Sequence, residues 1–142
     1  MELDFELLKE KDISQIRDIS EEFADIDPEN VKPFLAEKQN TALVAKLGDK
    51  VIGLIYGYSL TDFDDMSSQF FIYSVDIHTD YQNMGYGSKF IQFTVDWARK
   101  NGFRECFVLT DADNKRACRI YEKAGMTVSD GKQFEIIFPE ND

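Results

Sequence analysis

Leu3, Phe5 and Leu7 alternate with polar residues, the period of a half-buried strand that opens a sheet. The period then lengthens. Ile13, Ile16, Ile19 and Phe23 recur at three- and four-residue spacings, which predicts one helical face behind a D-x-x-Q capping pair at Asp12 and Gln15. "DPENVKPFLAEK" predicts a second, short helix, with Pro28 suited to its first turn and Pro33 limiting regular hydrogen bonding farther in. "TALVAKL" and "KVIGLIYGYSL" read as a strand pair turning at Gly48-Asp49. After the polar loop "LTDFDDMSS", "QFFIYSVDIH" reads as another strand. Phe90, Phe93, Thr94 and Trp97 then draw an apolar stripe along a helix that Gly102 terminates. "ECFVLT" is a strand, "NKRACRIYEKAG" a helix, and "MTVSDGKQFEIIF" a hairpin turning at Asp130-Gly131. The predicted order is β-α-α-β-β-β-α-β-α-β-β, an α/β (α+β) pattern of about seven strands and four helices. No repeat, low-complexity tract or linker divides it.

Composition narrows the setting. With 142 residues, 43% of them hydrophobic, the chain supports one core and is read as one domain over 1–142. Sixteen basic residues against 27 acidic give a net charge of −11, which argues against nucleic acid or an anionic membrane and favours cationic partners. "MELDFELLKEKD" has neither a basic nor an apolar leader region, and "VIGLIYGY" is too short to span a bilayer. A soluble, cytoplasmic protein is expected. Cys106 and Cys118 lack CxxC or His/Cys ligand spacing, so they read as packing thiols and no metal site is expected.

One stretch stands out against the acidic background. "YQNMGYGSKF", residues 81–90, sets two glycines and no acid where the third helix begins, directly after a strand. A helix start offers unpaired N–H groups and the positive end of the helix dipole, and glycines let a ligand approach the backbone. Strand, glycine loop and helix N-terminus therefore stand in phosphate-binding order; the competing reading is a surface turn before a helix. Neither the P-loop nor the G-x-G-x-x-G dinucleotide pattern fits.

Gln82-Asn83-Met84-Gly85-Tyr86-Gly87 matches the Q/R-x-x-G-x-G/A signature of the GNAT superfamily of acyl-CoA-dependent N-acetyltransferases. Asn114, Ala117, Tyr121, Gly125 and Met126 fit that superfamily's N-x-x-A-x-x-x-Y-x-x-x-G-[F/M] pattern, and the order of elements resembles it along essentially the whole chain. The resemblance implies a mixed, twisted sheet that splays between its fourth and fifth strands to admit the pantetheine arm of acetyl-CoA. It further implies that backbone amides of Gln82, Asn83, Met84, Gly85, Tyr86, Gly87 and Ser88 hold the CoA pyrophosphate. Val75, Asp76 and Ile77 would pair with the pantetheine and supply an oxyanion donor, Asn114 and Ala117 would line the opposite wall, and Tyr121 would protonate the departing thiolate. The superfamily's habit of dimerising extends the expectation to a homodimer.

A base is also needed, because an ammonium must lose a proton before it attacks. Asp76, Glu135, Asp62, Asp64, Asp65 and His78 are all candidates. "GDKVIGLIYGYSL", "FFIYSVDI" and "KQFEIIF" are similar to segments of aminoglycoside 3-N-acetyltransferases, which implies a polycationic acceptor and gives Glu135 a counterpart in the last hairpin. The chain departs from that subfamily in carrying Ser74, where an acid usually follows the tyrosine; Asp76, two residues along, stands in the same relation to the strand. Polyamine, metabolite and protein amines stay open as acceptors, as does a non-catalytic acyl-CoA-binding module.

Overall fold

The computed structural model describes residues 2–140. Five strands form one sheet in chain order: β1 (Leu3–Leu7), β2 (Asn40–Leu47), β3 (Lys50–Thr61), β4 (Ser68–Ile77) and β5 (Glu105–Val108). Neighbours are antiparallel except β4 and β5. That parallel pair requires a crossover, supplied by helix α3 (Tyr86–Lys100). Helices α1 (Ile13–Ile16), α2 (Pro28–Ala36) and α4 (Lys115–Lys123) complete the fold.

The sheet separates two apolar layers, as the alternation within its strands dictates. On one face Leu43, Ile52, Ile55, Phe70 and Ile72 pack with Phe90 and Ile91 of α3. On the other, Ala42, Val44, Val51 and Leu54 pack with Ile16 and Ile19, flanked by Phe34 of α2. No helix among the described residues is long and apolar enough to cross a membrane.

Two expectations are corrected. The first helix does not run from Ile13 to Phe23: α1 is four residues long, and a separate 3₁₀ turn, Glu21–Phe23, follows. Ser20 starts that turn by accepting the Glu22 N–H at 3.2 Å, a local alternative that competes with the helical ladder. The capping pair also works differently. Gln15 Oε1 accepts the Val51 N–H at 2.9 Å, tying α1 to the β2–β3 turn, while Asp12 accepts the Lys9 N–H and pairs with Lys46 Nζ at 2.8 Å. Lys46 also meets Glu6 at 2.6 Å, so Asp12, almost wholly buried, has a partner for its charge.

The second correction concerns strand number, five rather than about seven. Residues 127–138 form no hairpin; Val128, Phe134, Ile136, Ile137 and Phe138 are 76% to 89% exposed. Alternation shows that a segment can serve as a strand, whereas a lone two-stranded hairpin is marginal unless it buries a face on something larger. Among the described residues the segment meets no such surface, and β5 offers an edge of only four residues.

Candidate active site

The site begins where β4 outruns its neighbour. β5 pairs with β4 only from Gln69 to Ile72, so the last five residues of β4 have an edge free of β5. Which backbone groups line that edge follows from register. His78 N–H donates to Ile52 C=O, and Leu54 lies opposite Asp76, so even-numbered residues here point their backbone groups at β3. Val75 and Ile77 therefore point theirs into the gap. The Ile77 carbonyl is already bound there by Gln82 Nε2 at 2.9 Å. Among the described residues the Val75 N–H and C=O have no strand partner.

Beyond β4 the chain reverses sharply into α3. Asn83 has φ 64° and Gly85, the N-cap, has φ 84°. Nothing lies within 4 Å of the place a Gly85 Cβ would occupy, so backbone conformation rather than packing calls for glycine there. Gly87 is buried against Ile120 of α4, which brings the two helices together. The first N–H groups of α3 have no helical acceptor and face a groove of about 260 Å3 lined by Gln82, Asn83, Gly85, Gly87 and Ser88. Met84 is exposed, and Tyr86 packs partly against the core; neither side chain lines the groove.

The opposite wall carries residues absent from the sequence reading. Arg116, Arg119 and Lys123 of α4 line the same groove. Arg116 Nη1 donates to Gln82 Oε1 at 2.7 Å, and Gln82 thereby links α4 to the end of β4. Their spacing of three and four residues puts three cations on one helical face of an acidic chain, a signal present in the sequence. Charged lining, free amides and a helix dipole together fit a pyrophosphate.

A second cavity, about 130 Å3, continues the groove along the open edge of β4 and is lined by Val75, Ile77, Asn114, Ala117, Ile120 and Tyr121. Asn114 Oδ1 accepts the Ala117 N–H at 3.1 Å, so its side chain caps α4 as well as facing the cavity. Burial raises the Tyr121 pKa above that of a free phenol, and the charge of Asp76 raises it further. The phenol therefore stays protonated at neutral pH. Burial also raises the Asp76 pKa above the usual carboxylate value, opposed by a 2.7 Å hydrogen bond donated by Ser74 Oγ. The structure thus brings Asp76 within electrostatic reach of Tyr121.

The other candidate bases lie elsewhere. Glu135 is exposed in the C-terminal segment, where its one hydrogen bond within the described residues comes from Gln133 at 3.5 Å. Asp62 is held by Arg104 at 2.7 Å, and the loop carrying Asp64 and Asp65 precedes β4, roughly 25 Å along the strand from Asp76. His78 Nδ1 accepts the Asp80 N–H and starts the turn Thr79–Tyr81. Burial pushes the Cys106 thiol up to about 11, so it is no nucleophile at neutral pH.

The acetyltransferase (GNAT) family profile matches residues 9–126, most of the chain. The chain belongs to this family. Among curated relatives, it is 26% identical over 98 residues to a probable N-acetyltransferase camello of Xenopus tropicalis, a match spanning 69% of this chain and 43% of that protein. Among solved structures, an aminoglycoside acetyltransferase from an uncultured soil metagenomic sample, in complex with sisomicin, superposes with a TM-score of 0.84. The two are 24% identical, and the match covers 97% of each chain. A ribosomal-protein-alanine N-acetyltransferase from Brucella melitensis biovar Abortus 2308 gives 0.81 at 17% identity, over 97% of this chain and 100% of that one. These structural likenesses establish the fold.

Proposed function

We propose that the protein moves an acetyl group from acetyl-CoA directly to an amine of a cationic small molecule, an aminoglycoside or a polyamine. The observation that carries this reading is the placement of Asp76 and Tyr121 about the open edge of β4, at the end of a groove suited to a pyrophosphate. Acetyl-CoA, when bound, supplies an activated acyl group with a thiolate leaving group. The chain's residues do the rest. The amides at the start of α3, with Arg116, Arg119 and Lys123, hold the phosphates. The Val75 N–H stabilises negative charge on the acyl oxygen, Asp76 accepts the proton of the incoming ammonium, and Tyr121 protonates the sulfur as it leaves. The aminoglycoside acceptor draws on the likeness to the sisomicin-bound structure and on the net charge of −11; a polyamine satisfies the same charge requirement.

The phosphate assignment has its own test. Gly85→Asp adds a negative charge at the N-cap, and Asp tolerates a positive φ better than most residues. Acetyl-CoA affinity measured calorimetrically on the folded variant is expected to drop roughly tenfold or more. Unchanged affinity contradicts the assignment.

The acceptor class is tested by thiol release from acetyl-CoA with an aminoglycoside, a polyamine, a neutral amine and an amino acid at two ionic strengths. Polycations should be acetylated, and salt should raise KM for them more than KM for acetyl-CoA, because screening weakens attraction to exposed charge. Acetylation confined to neutral or anionic amines contradicts the reading.

A further inference from the structure

Beside Asp76, on the face of the sheet that carries α2, lies a row of aromatic rings the mechanism does not use. Tyr56 and Tyr58 come from β3, Phe71 and Tyr73 from β4, and Phe34 from α2. The Tyr73 ring lies 5.7 Å from that of Tyr56 at 30° and 5.5 Å from that of Tyr58 at 81°. Phe34 meets both β3 tyrosines edge-on, at 5.6 and 5.9 Å. The row depends on an irregularity. Tyr56 pairs with Ser74 and Gly57 with Ile72, which leaves Tyr73 as the extra residue of a β-bulge. A Cβ at Gly57 would collide with the Phe71 carbonyl oxygen, so glycine permits the close approach at the bulge.

Cross-strand packing accounts for the half-buried Tyr56 and Tyr58. It does not account for Tyr73, which is 57% exposed although its neighbours form a ready aromatic wall. Among the described residues no cation covers these rings: the one cation–π contact is Lys50 over Tyr81, outside the row. The surroundings are anionic. Glu22 acts on Tyr56 electrostatically, and the Tyr56 phenol neighbours Ser74, whose hydroxyl donates to Asp76 at 2.7 Å. Exposed aromatic faces beside carboxylates form a setting that attracts organic cations.

Resting on the acetyl-transfer reading, we propose that Tyr73, supported by Tyr56 and Tyr58, is a docking platform for a second positive charge of the acceptor. The reacting amine faces Asp76 while a distal ammonium of the same molecule lies on the Tyr73 ring. Tyr73 and Asp76 are three residues apart on one strand, roughly 10 Å, so the acceptor class is a diamine or larger polycation with several carbons between nitrogens.

Two measurements test the platform. In the first, 1,5-diaminopentane and 1-aminopentane are compared as acceptors for the wild type, Tyr73→Leu and Tyr73→Phe. The diamine's advantage in kcat/KM is expected to fall roughly 3- to 30-fold in the leucine variant and to persist in the phenylalanine variant, which keeps the π face. An unchanged advantage in Tyr73→Leu overturns the proposal. The second needs no turnover: tetramethylammonium is titrated while ring resonances are followed by NMR. Shifts in the wild type that vanish in Tyr73→Leu support the platform even if no amine is acetylated, a failure that would fall on the transfer reading alone. Absence of shifts, or equal binding by both proteins, overturns the platform whatever the enzyme acetylates.

Discussion

Tyr121→Phe is expected to lower kcat about 100-fold or more while leaving acetyl-CoA affinity and thermal stability nearly unchanged. The substitution removes one hydroxyl and preserves the ring that packs beside the core. Among the described residues no buried side-chain nitrogen or oxygen lacks a partner, and the phenylalanine adds no polar atom that would need one. A packing role predicts no loss of rate, and a binding role predicts a change in KM. The general-acid role instead predicts a loss confined to turnover, visible in steady-state kinetics once chemistry limits the rate. Equal kcat in the two proteins under that condition rejects the role. Because burial and Asp76 both raise the phenol's pKa, the wild type should retain the acid form through neutral pH and lose it only above the ordinary tyrosine range.

Asp76→Asn is expected to reduce kcat/KM for the acceptor roughly 100-fold or more and to abolish the inflection on the acid side of its pH profile. The base works only when ionised, so wild-type activity should rise with pH through a value above the ordinary carboxylate range, the direction that burial imposes. Stability should move the other way. The folded pKa lies above the unfolded one, so the folded state binds more protons between the two values and loses stability as pH rises through that window. Asparagine carries no such penalty and can still accept the Ser74 hydroxyl. The variant's melting temperature at neutral pH should therefore equal or exceed the wild type's. A melting temperature well below it, with an unchanged pH profile, assigns Asp76 to structure instead.

Much of this architecture was legible in the sequence because period and punctuation agreed. Alternation placed the first strand, apolar runs bounded by turn residues placed the next four, the stripe from Phe90 to Trp97 placed α3, and Gly102 and Gly125, both at positive φ, follow the ends of α3 and α4. The glycine loop was legible for the same reason, a local motif dictating a local backbone, whereas the open strand edge was implied only by the family resemblance. What failed depended on competition or on distant partners. Ser20 and Gln15 chose bonds that periodicity does not weigh, and the apolar alternation of Phe134, Ile136 and Phe138 has no facing surface among the described residues. Glu135 was proposed on that missing hairpin and is therefore not placed beside Asp76. Arg116, Arg119 and Lys123 were visible as a helical face, but their meaning required knowing that α4 lies across the groove from the start of α3.

The central claim is that the open edge of β4 and the start of α3 hold acetyl-CoA with its sulfur between Tyr121 and Asp76. A crystal structure of the protein with acetyl-CoA tests it most directly. The account predicts the pyrophosphate on the amides of Gly85 to Ser88, the acyl oxygen within hydrogen-bond distance of the Val75 N–H, and the sulfur within reach of the Tyr121 hydroxyl. A cofactor bound elsewhere, or one whose thioester lies beyond reach of both Val75 and Tyr121, would contradict it.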